Sequence, residues 1–368
     1  MRNRRLAAAV LCTAVGFAFQ WAIVRANYGG NWTALFCHGS RIPLPAGLAF
    51  EHIYVFPDSG GYDGQSYHYV AHDPMNRTDI GSAVPDPSRR FPRILVPGLA
   101  YLLALGRPAW IDPALFGVNL LFLGLGAYWL ACLIPWPMWA VLYVLTPVAL
   151  ISLDRMTVDL ALTSLALGFA VYTKEDAAWP LWVIFAAAAL CRETGVLLFA
   201  AYAPRLVVLG QYRKVVLFGS ALIPAAAWNL WTGAGGLGPP VPFYGIAQAI
   251  LHPRSYRFGV LANTVIQSAH ALQLAGLLFA MGLVFFTSRK ITTDPVRAAC
   301  VLFAIFGVCA TGGAYDDPFA GVRFLAPLLL FQFIGGDRWG RIGLLASTPR
   351  AWLELLPQLL RIAGIHVV

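Results

Sequence analysis

Ile94-Leu95-Val96-Pro97-Gly98-Leu99-Ala100-Tyr101-Leu102-Leu103-Ala104-Leu105-Gly106 is the stretch on which the fold turns. As a helix these residues rise only about 20 Å, short of a hydrocarbon core of roughly 30 Å. Pro97 lies inside the run, so it reads as a re-entrant or membrane-lying helix. The choice inverts every later segment. If the run does not cross, one set of connections after residue 112 carries eleven basic residues: Lys174, Arg205, Arg213, Lys214, Arg289, Lys290, Arg297, Arg338, Arg341, Arg350 and Arg361. The opposite set carries five: Arg155, Arg192, Arg254, Arg257 and Arg323. The richer set belongs inside, which favours a run that does not cross.

Outward from that stretch, apolar runs lie near residues 6–24, 113–133, 136–152, 157–172, 178–191, 195–210, 215–231, 259–287, 295–313 and 323–336. The chain is 59% hydrophobic and 12% charged over 368 residues, with a mean hydropathy of +0.67. That composition excludes disorder and a soluble enzyme. The expected fold is all-α: a polytopic transmembrane bundle of about ten spans, forming one integral membrane domain over residues 1–368. Gln20 and Trp21 interrupt the first run, which reads as an uncleaved anchor with its amino terminus inside. Residues 25–112 then form a long first extracytoplasmic loop carrying short membrane-lying helices. Residues 232–258 form a second such loop, and 338–368 a cytoplasmic tail. In that tail Trp352, Leu355, Leu356, Leu359 and Ile362 have the spacing of an interfacial helix. The net charge of +9 is spread in twos and threes between apolar runs, as orientation signals are, so no nucleic-acid partner is expected.

The unusual polar residues gather on the outer side of this topology. In Pro57-Asp58-Ser59-Gly60-Gly61-Tyr62-Asp63-Gly64-Gln65-Ser66-Tyr67-His68, glycines precede a helix start near Asp63. Asp63, Tyr67 and Ala71 then share one helical face, with the carboxylate beside free N–H groups; the alternative is that Asp63 merely caps the helix. Asp154-Arg155 and Asp159 interrupt a long hydrophobic passage, Arg192-Glu193-Thr194 separates two short apolar runs, and Arg323 opens the last span behind Asp316-Asp317-Pro318. Ion pairing within a turn, or snorkelling for Arg323, is the competing account of each. Together a loop carboxylate, outer arginines and a lipid-accessible bundle suit group transfer from a lipid phosphate. The carboxylate is the base, and the arginines receive the departing phosphate charge.

At these residues the chain resembles the GT-C superfamily of membrane glycosyltransferases. The Asp-x3-Tyr-x3-Ala spacing of Asp63, Tyr67 and Ala71 is similar to their first-loop motif, and Tyr62 to Tyr67 is close to the Trp-Asp-x-x-x-Tyr form of the mannosyltransferase branch. The resemblance implies a catalytic base at Asp63 and a short membrane-lying helix from Arg93 to Pro97. It also implies a second acidic position at Asp159, an arginine-centred turn at Arg192-Glu193, and a donor-phosphate arginine at Arg323. On this reading Asp58, Gln65, Tyr67, His68, Arg93, Arg155, Asp159, Arg192, Glu193, Arg254, Arg257 and Arg323 bind substrate. The implied enzyme is an inverting hexosyltransferase of the cell envelope, in a bacterial inner membrane with its active site outside. It moves a single sugar from a polyprenyl-phosphate donor to a glycan, lipid or protein hydroxyl. Gly64 stands where many relatives have a second acidic residue, so no metal and no other cofactor is expected.

A lipid or lipid-linked-sugar flippase is the alternative. Its support is the stripe Asn263, Gln267 and His270 in the eighth run, a pattern also common in helix packing. His38, His52, His68, His72 and His252 fall in outer segments, but their spacing matches no standard ligand set.

Overall fold

The computed structural model describes residues 1–235, 241–252, 259–287, 293–310, 312–335 and 338–365. The protein is almost entirely helical, and its chain divides into two compact units. The first comprises Met1–Val196, Phe218–Gly235 and Gln358–Val368; the second comprises Leu197–Leu217 and Gly236–Pro357.

In the first unit α1 (Arg2–Asn27) leads into a loop region holding α2 (Asp63–His72), α3 (Asp79–Ser82), α4 (Pro87–Arg90) and α5 (Leu95–Leu103). Then follow α6 (Pro108–Leu133), α7 (Pro147–Arg155), α8 (Asp159–Glu175) and α9 (Ala178–Cys191). α6 packs against both α1 and α8, and α8 against α9. After α10 (Val196–Val208), α11 (Tyr212–Gly219) and α12 (Ile223–Thr232), the chain reaches α13 (Tyr244–Leu251), α14 (Val260–Thr287), α15 (Pro295–Val308), α16 (Ala320–Phe324), α17 (Ala326–Ile334), α18 (Arg338–Ala346) and α19 (Pro349–Ile362). Within the second unit α14 packs on α15 and α18, and α15 on α17.

Among the described residues four helices are long and apolar enough to cross a membrane: Arg2–Asn27, Pro108–Leu133, Tyr212–Thr232 and Val260–Phe286. They mark a membrane protein. The tenfold pattern of the sequence does not reappear as ten unbroken helices. The run near 136–152 becomes a 3-10 stretch, Pro137–Leu145, and α7, bent by 52° where Pro147 follows Thr146; counted as one broken span it makes a fifth. The runs at 178–191 and 295–313 become 14-residue helices, and the run at 323–336 breaks between α16 and α17 at Leu325. Hydropathy registers apolar residues but not the prolines that interrupt a helix between them.

The decisive stretch forms α5, nine residues long and so about 14 Å. One edge, Val96, Pro97 and Ala100, is buried, while Leu102, Leu103 and Leu105 are largely exposed. In the tail the amphipathic helix forms as α19, but its inner edge of Arg350, Ala351 and Leu355 is buried, with Arg350 paired to Glu354. That edge packs on protein.

The loop region before α6 has a core of its own. Tyr69 and Val70 of α2 pack with Leu48, Val84 and Phe91, and the Phe91 carbonyl accepts the Trp228 indole N–H at 2.7 Å. A two-residue parallel ladder, β1 (His38–Gly39) against β2 (Val55–Phe56), closes the region at one side. Helix α2 is therefore held along its length rather than displayed on a free loop.

Candidate functional site

The first turn of α2 is set by two glycines. Gly61 has φ +75°, a left-handed conformation that strains any residue with a Cβ. At Gly64 a Cβ would lie 2.3 Å from the Arg155 carbonyl oxygen, so the absent side chain lets α2 rest directly on the end of α7. That contact leaves no room for an acidic side chain at position 64. Arg155 completes the seat, its guanidinium 5.2 Å from the Tyr62 ring centroid and its Nε 3.5 Å from Asp154.

Asp63 is not the cap of this helix: Tyr62 holds that position, without a side-chain capping bond, and Asp63 lies in the first turn. Its Oδ1 is 2.8 Å from Arg90 Nη2, and each of the two side chains is about a fifth exposed. Arg90 Nη1 also donates to the Tyr67 hydroxyl at 3.4 Å, and Arg93 Nη1 donates to the same oxygen at 3.1 Å. Arg93 then grips Glu193 through two parallel bonds, Nε to Oε2 at 3.0 Å and Nη2 to Oε1 at 2.8 Å. This bidentate form is the strongest and most directional ion pair available to these groups. Arg192 Nε stands 3.5 Å from Glu193 Oε1, and its Nη1 is bonded to Asp159 at the start of α8. Asp63, Arg90, Tyr67, Arg93, Glu193, Arg192 and Asp159 thus form one connected chain of charge and hydrogen bonds. It joins α2, the segment before α5 and the turn after α9. Burial works against the charge of Glu193, yet Arg93 and Arg192 hold its carboxyl down to about 2. Arg93 is raised despite its own burial, by Tyr67 and Glu193.

Of the residues singled out in the sequence, Asp63, Tyr67, Arg93, Asp159, Arg192 and Glu193 meet in this chain, and Arg155 supports its first turn. Asp58 is exposed in a turn with φ +52°. Gln65 is buried and engaged elsewhere, its oxygen accepting the Gly39 N–H at 3.1 Å and its nitrogen reaching the Tyr69 hydroxyl at 3.2 Å. Arg323 is a buried residue of α16 in the second unit. Arg254 and Arg257 lie outside the described residues. Arg90 is not among the sequence candidates, although it stands three positions before Arg93 in Arg89-Arg90-Phe91-Pro92-Arg93. Three carboxylates face three arginines here, so the site as it stands is charge-balanced.

His68 belongs to a different group. Its Nε2 lies 2.9 Å from Asp112 and 3.2 Å from Glu51, and His72 Nε2 lies 3.1 Å from Glu51 and 3.3 Å from Asp112. His68 Nδ1 is 3.0 Å from His38 Nε2. With protons alone in the group, burial opposes charge on His68, but Asp112 and Glu51 overrule it and lift the imidazole to about 9. His38, buried and facing that imidazole, falls to about 2 and stays neutral. Although the histidine spacing in the sequence matches no standard ligand set, the fold brings four potential ligand atoms, of Glu51, His68, His72 and Asp112, within 4.8 Å of one another. The visible signal is His68-x3-His72, an i, i+4 pair on one helical face. Glu51 and Asp112 are brought in from distant parts of the sequence.

Compared with protein-family models, curated proteins and solved structures, the chain has no match in any of the three.

Proposed function

We propose that the chain is a GT-C-like membrane glycosyltransferase that moves a single sugar from a polyprenyl-phosphate donor to a hydroxyl acceptor. In this reaction Asp63 takes the proton from the acceptor hydroxyl as its oxygen attacks the anomeric carbon. The bond from that carbon to the phosphate oxygen breaks with inversion, and the lipid phosphate leaves with the bonding electrons. A positioned carboxylate contributes about 10²- to 10⁴-fold to such a step. Arg90 orients the carboxylate, and Arg93 and Glu193 hold Tyr67 and Arg90 in register with it. Arg192 is the arginine of this unit assigned to the donor phosphate, whose charge grows as the bond breaks.

What supports this reading is the connected chain from Asp63 to Asp159, with a partly exposed Asp63–Arg90 pair at one end. It draws together residues from four segments that the resemblance marks separately. The same reading takes residues 25–112 and 232–258 to lie outside a bacterial inner membrane, and the shorter apolar helices to complete about ten crossings. Single cysteines at Ser82 and Gln211 in a Cys-free background test that topology. Ser82→Cys should react with an impermeant maleimide from outside only, and Gln211→Cys from inside only.

The chemistry is tested by incubating the purified chain with a panel of radiolabelled polyprenyl-phosphate sugars and crude membrane acceptors. Transfer by the wild type and its loss in Asp63→Asn is the expected result. No transfer from any donor, together with protein-dependent movement of the labelled lipid between leaflets of a vesicle, would replace the enzyme by a flippase.

A further inference from the structure

Glu51, His68, His72 and Asp112 take no part in the Asp63 chain, yet their geometry is specific. In both histidines the same atom, Nε2, faces a Glu51 oxygen and Asp112 Oδ1, at 3.2 and 2.9 Å for His68 and 3.1 and 3.3 Å for His72. A ring nitrogen carries at most one hydrogen, so neither Nε2 points a proton squarely at both of its acceptors. Asp112 Oδ1 is likewise shared by two nitrogens. Glu51 Oε2 is buried and accepts no well-directed hydrogen bond. A cation at the centre answers all four atoms at once. Tetrahedral coordination at metal–ligand distances of about 2.0–2.2 Å separates neighbouring ligand atoms by roughly 3.3–3.5 Å, close to these four nitrogen–oxygen spacings, while the whole set of ligand atoms lies within 4.8 Å.

We infer that Glu51, His68, His72 and Asp112 bind a divalent transition-metal ion, with Zn²⁺ the best match to two imidazoles and two carboxylates. Neutral imidazoles and ionised carboxylates carry two negative charges, which one such ion cancels inside a site whose histidines are almost fully buried. His38 supplies the outer support: its Nε2 accepts the Nδ1–H of His68, which fixes the tautomer that turns Nε2 to the metal. Four protein ligands close the site, as in structural rather than catalytic zinc. The ion ties α2 to the first turns of α6 and to the turn at Glu51. This inference does not depend on the glycosyltransferase reading.

The test is metal analysis of the full chain, purified in detergent through a tag without histidines. About one equivalent of zinc, iron or manganese per chain is expected, falling at least tenfold in the His68→Ala/His72→Ala double variant and in Asp112→Asn. His52→Ala, which alters an exposed histidine outside the group, should keep the metal. Should the variants fail to fold, the wild type decides alone: EDTA should lower its melting temperature and ZnCl₂ should restore it. A wild-type chain that purifies without metal and melts identically with EDTA and with ZnCl₂ overturns the proposal. So does a double variant that retains the full equivalent.

Discussion

The two polar faces of α2 make opposite use of similar chemistry. Asp63 and Arg90, at the start of the helix, are each about a fifth exposed, and every carboxylate in their chain faces an arginine. His68, five residues on, is turned about 140° around the axis, fully buried, and shares its neighbours with His72. The first face has paired its charges and kept an opening. The second has closed around charges that hydrogen bonds leave badly matched. Permanent guanidinium charge suits a ligand that arrives and departs, whereas converging lone pairs suit one that stays. On the two proposals, one ten-residue helix carries a site for exchange and a site for retention.

Asp63→Asn should separate the faces most sharply. It keeps the shape and removes the basicity, so transfer should fall by two or more decades, with metal content and melting temperature close to wild type. If transfer persists while Asp58→Asn abolishes it, the open face is not the catalytic one. Arg93→Ala strikes the middle of the ion-pair chain and leaves Glu193 and Tyr67 without their shared partner. A loss of about 3 kcal/mol is expected, read by thermal unfolding, and the metal should again be retained. Gly64→Ala drives a methyl into the Arg155 carbonyl. Overpacking of this kind costs about 2 kcal/mol, and here it should displace the Asp63 end of α2, lowering transfer more than metal binding. Equal losses of both would mean that α2 moves as one rigid rod.

The smallest effect is a pH dependence. Glu193 is held to about 2 against an ordinary value of 4.5, so its contribution is complete above 4.5 and fades as pH falls towards 2. Between pH 6 and 3 the wild type should lose a few degrees of melting temperature more than Glu193→Gln, which has no such proton to take up. Parallel curves for the two proteins would remove Glu193 from the buried pairing.

Residues close in sequence, or carrying their own local signal, are legible without coordinates. The helix start at Asp63, the shortness of α5 and the charged turn at Arg192-Glu193 all follow from composition, glycine placement and length. Arg90 is obscured because Arg89 beside it is an exposed residue paired to Asp86, and nothing in a string of arginines says which one turns inward. Glu51 and Asp112 are beyond reach for another reason: neither has a local pattern, and only the packing of α6 and of the turn at Glu51 against α2 brings them together. The continuity of the apolar runs is not legible either, as at Pro147, where the helical ladder stops while the hydropathy does not.

Both Arg90 and Arg93 donate to the Tyr67 hydroxyl, and a phenolic oxygen has two lone pairs to offer. It is a junction with both terminals taken. An anion that draws Arg90 towards itself vacates one terminal, and the phenol is then free to settle fully on Arg93. Arg93 shares its other hydrogens with Glu193 and, through it, with Arg192. On the proposed function, a ligand arriving at the Asp63 end would be felt, bond by bond, at the turn at the opposite end, with no helix having to shift.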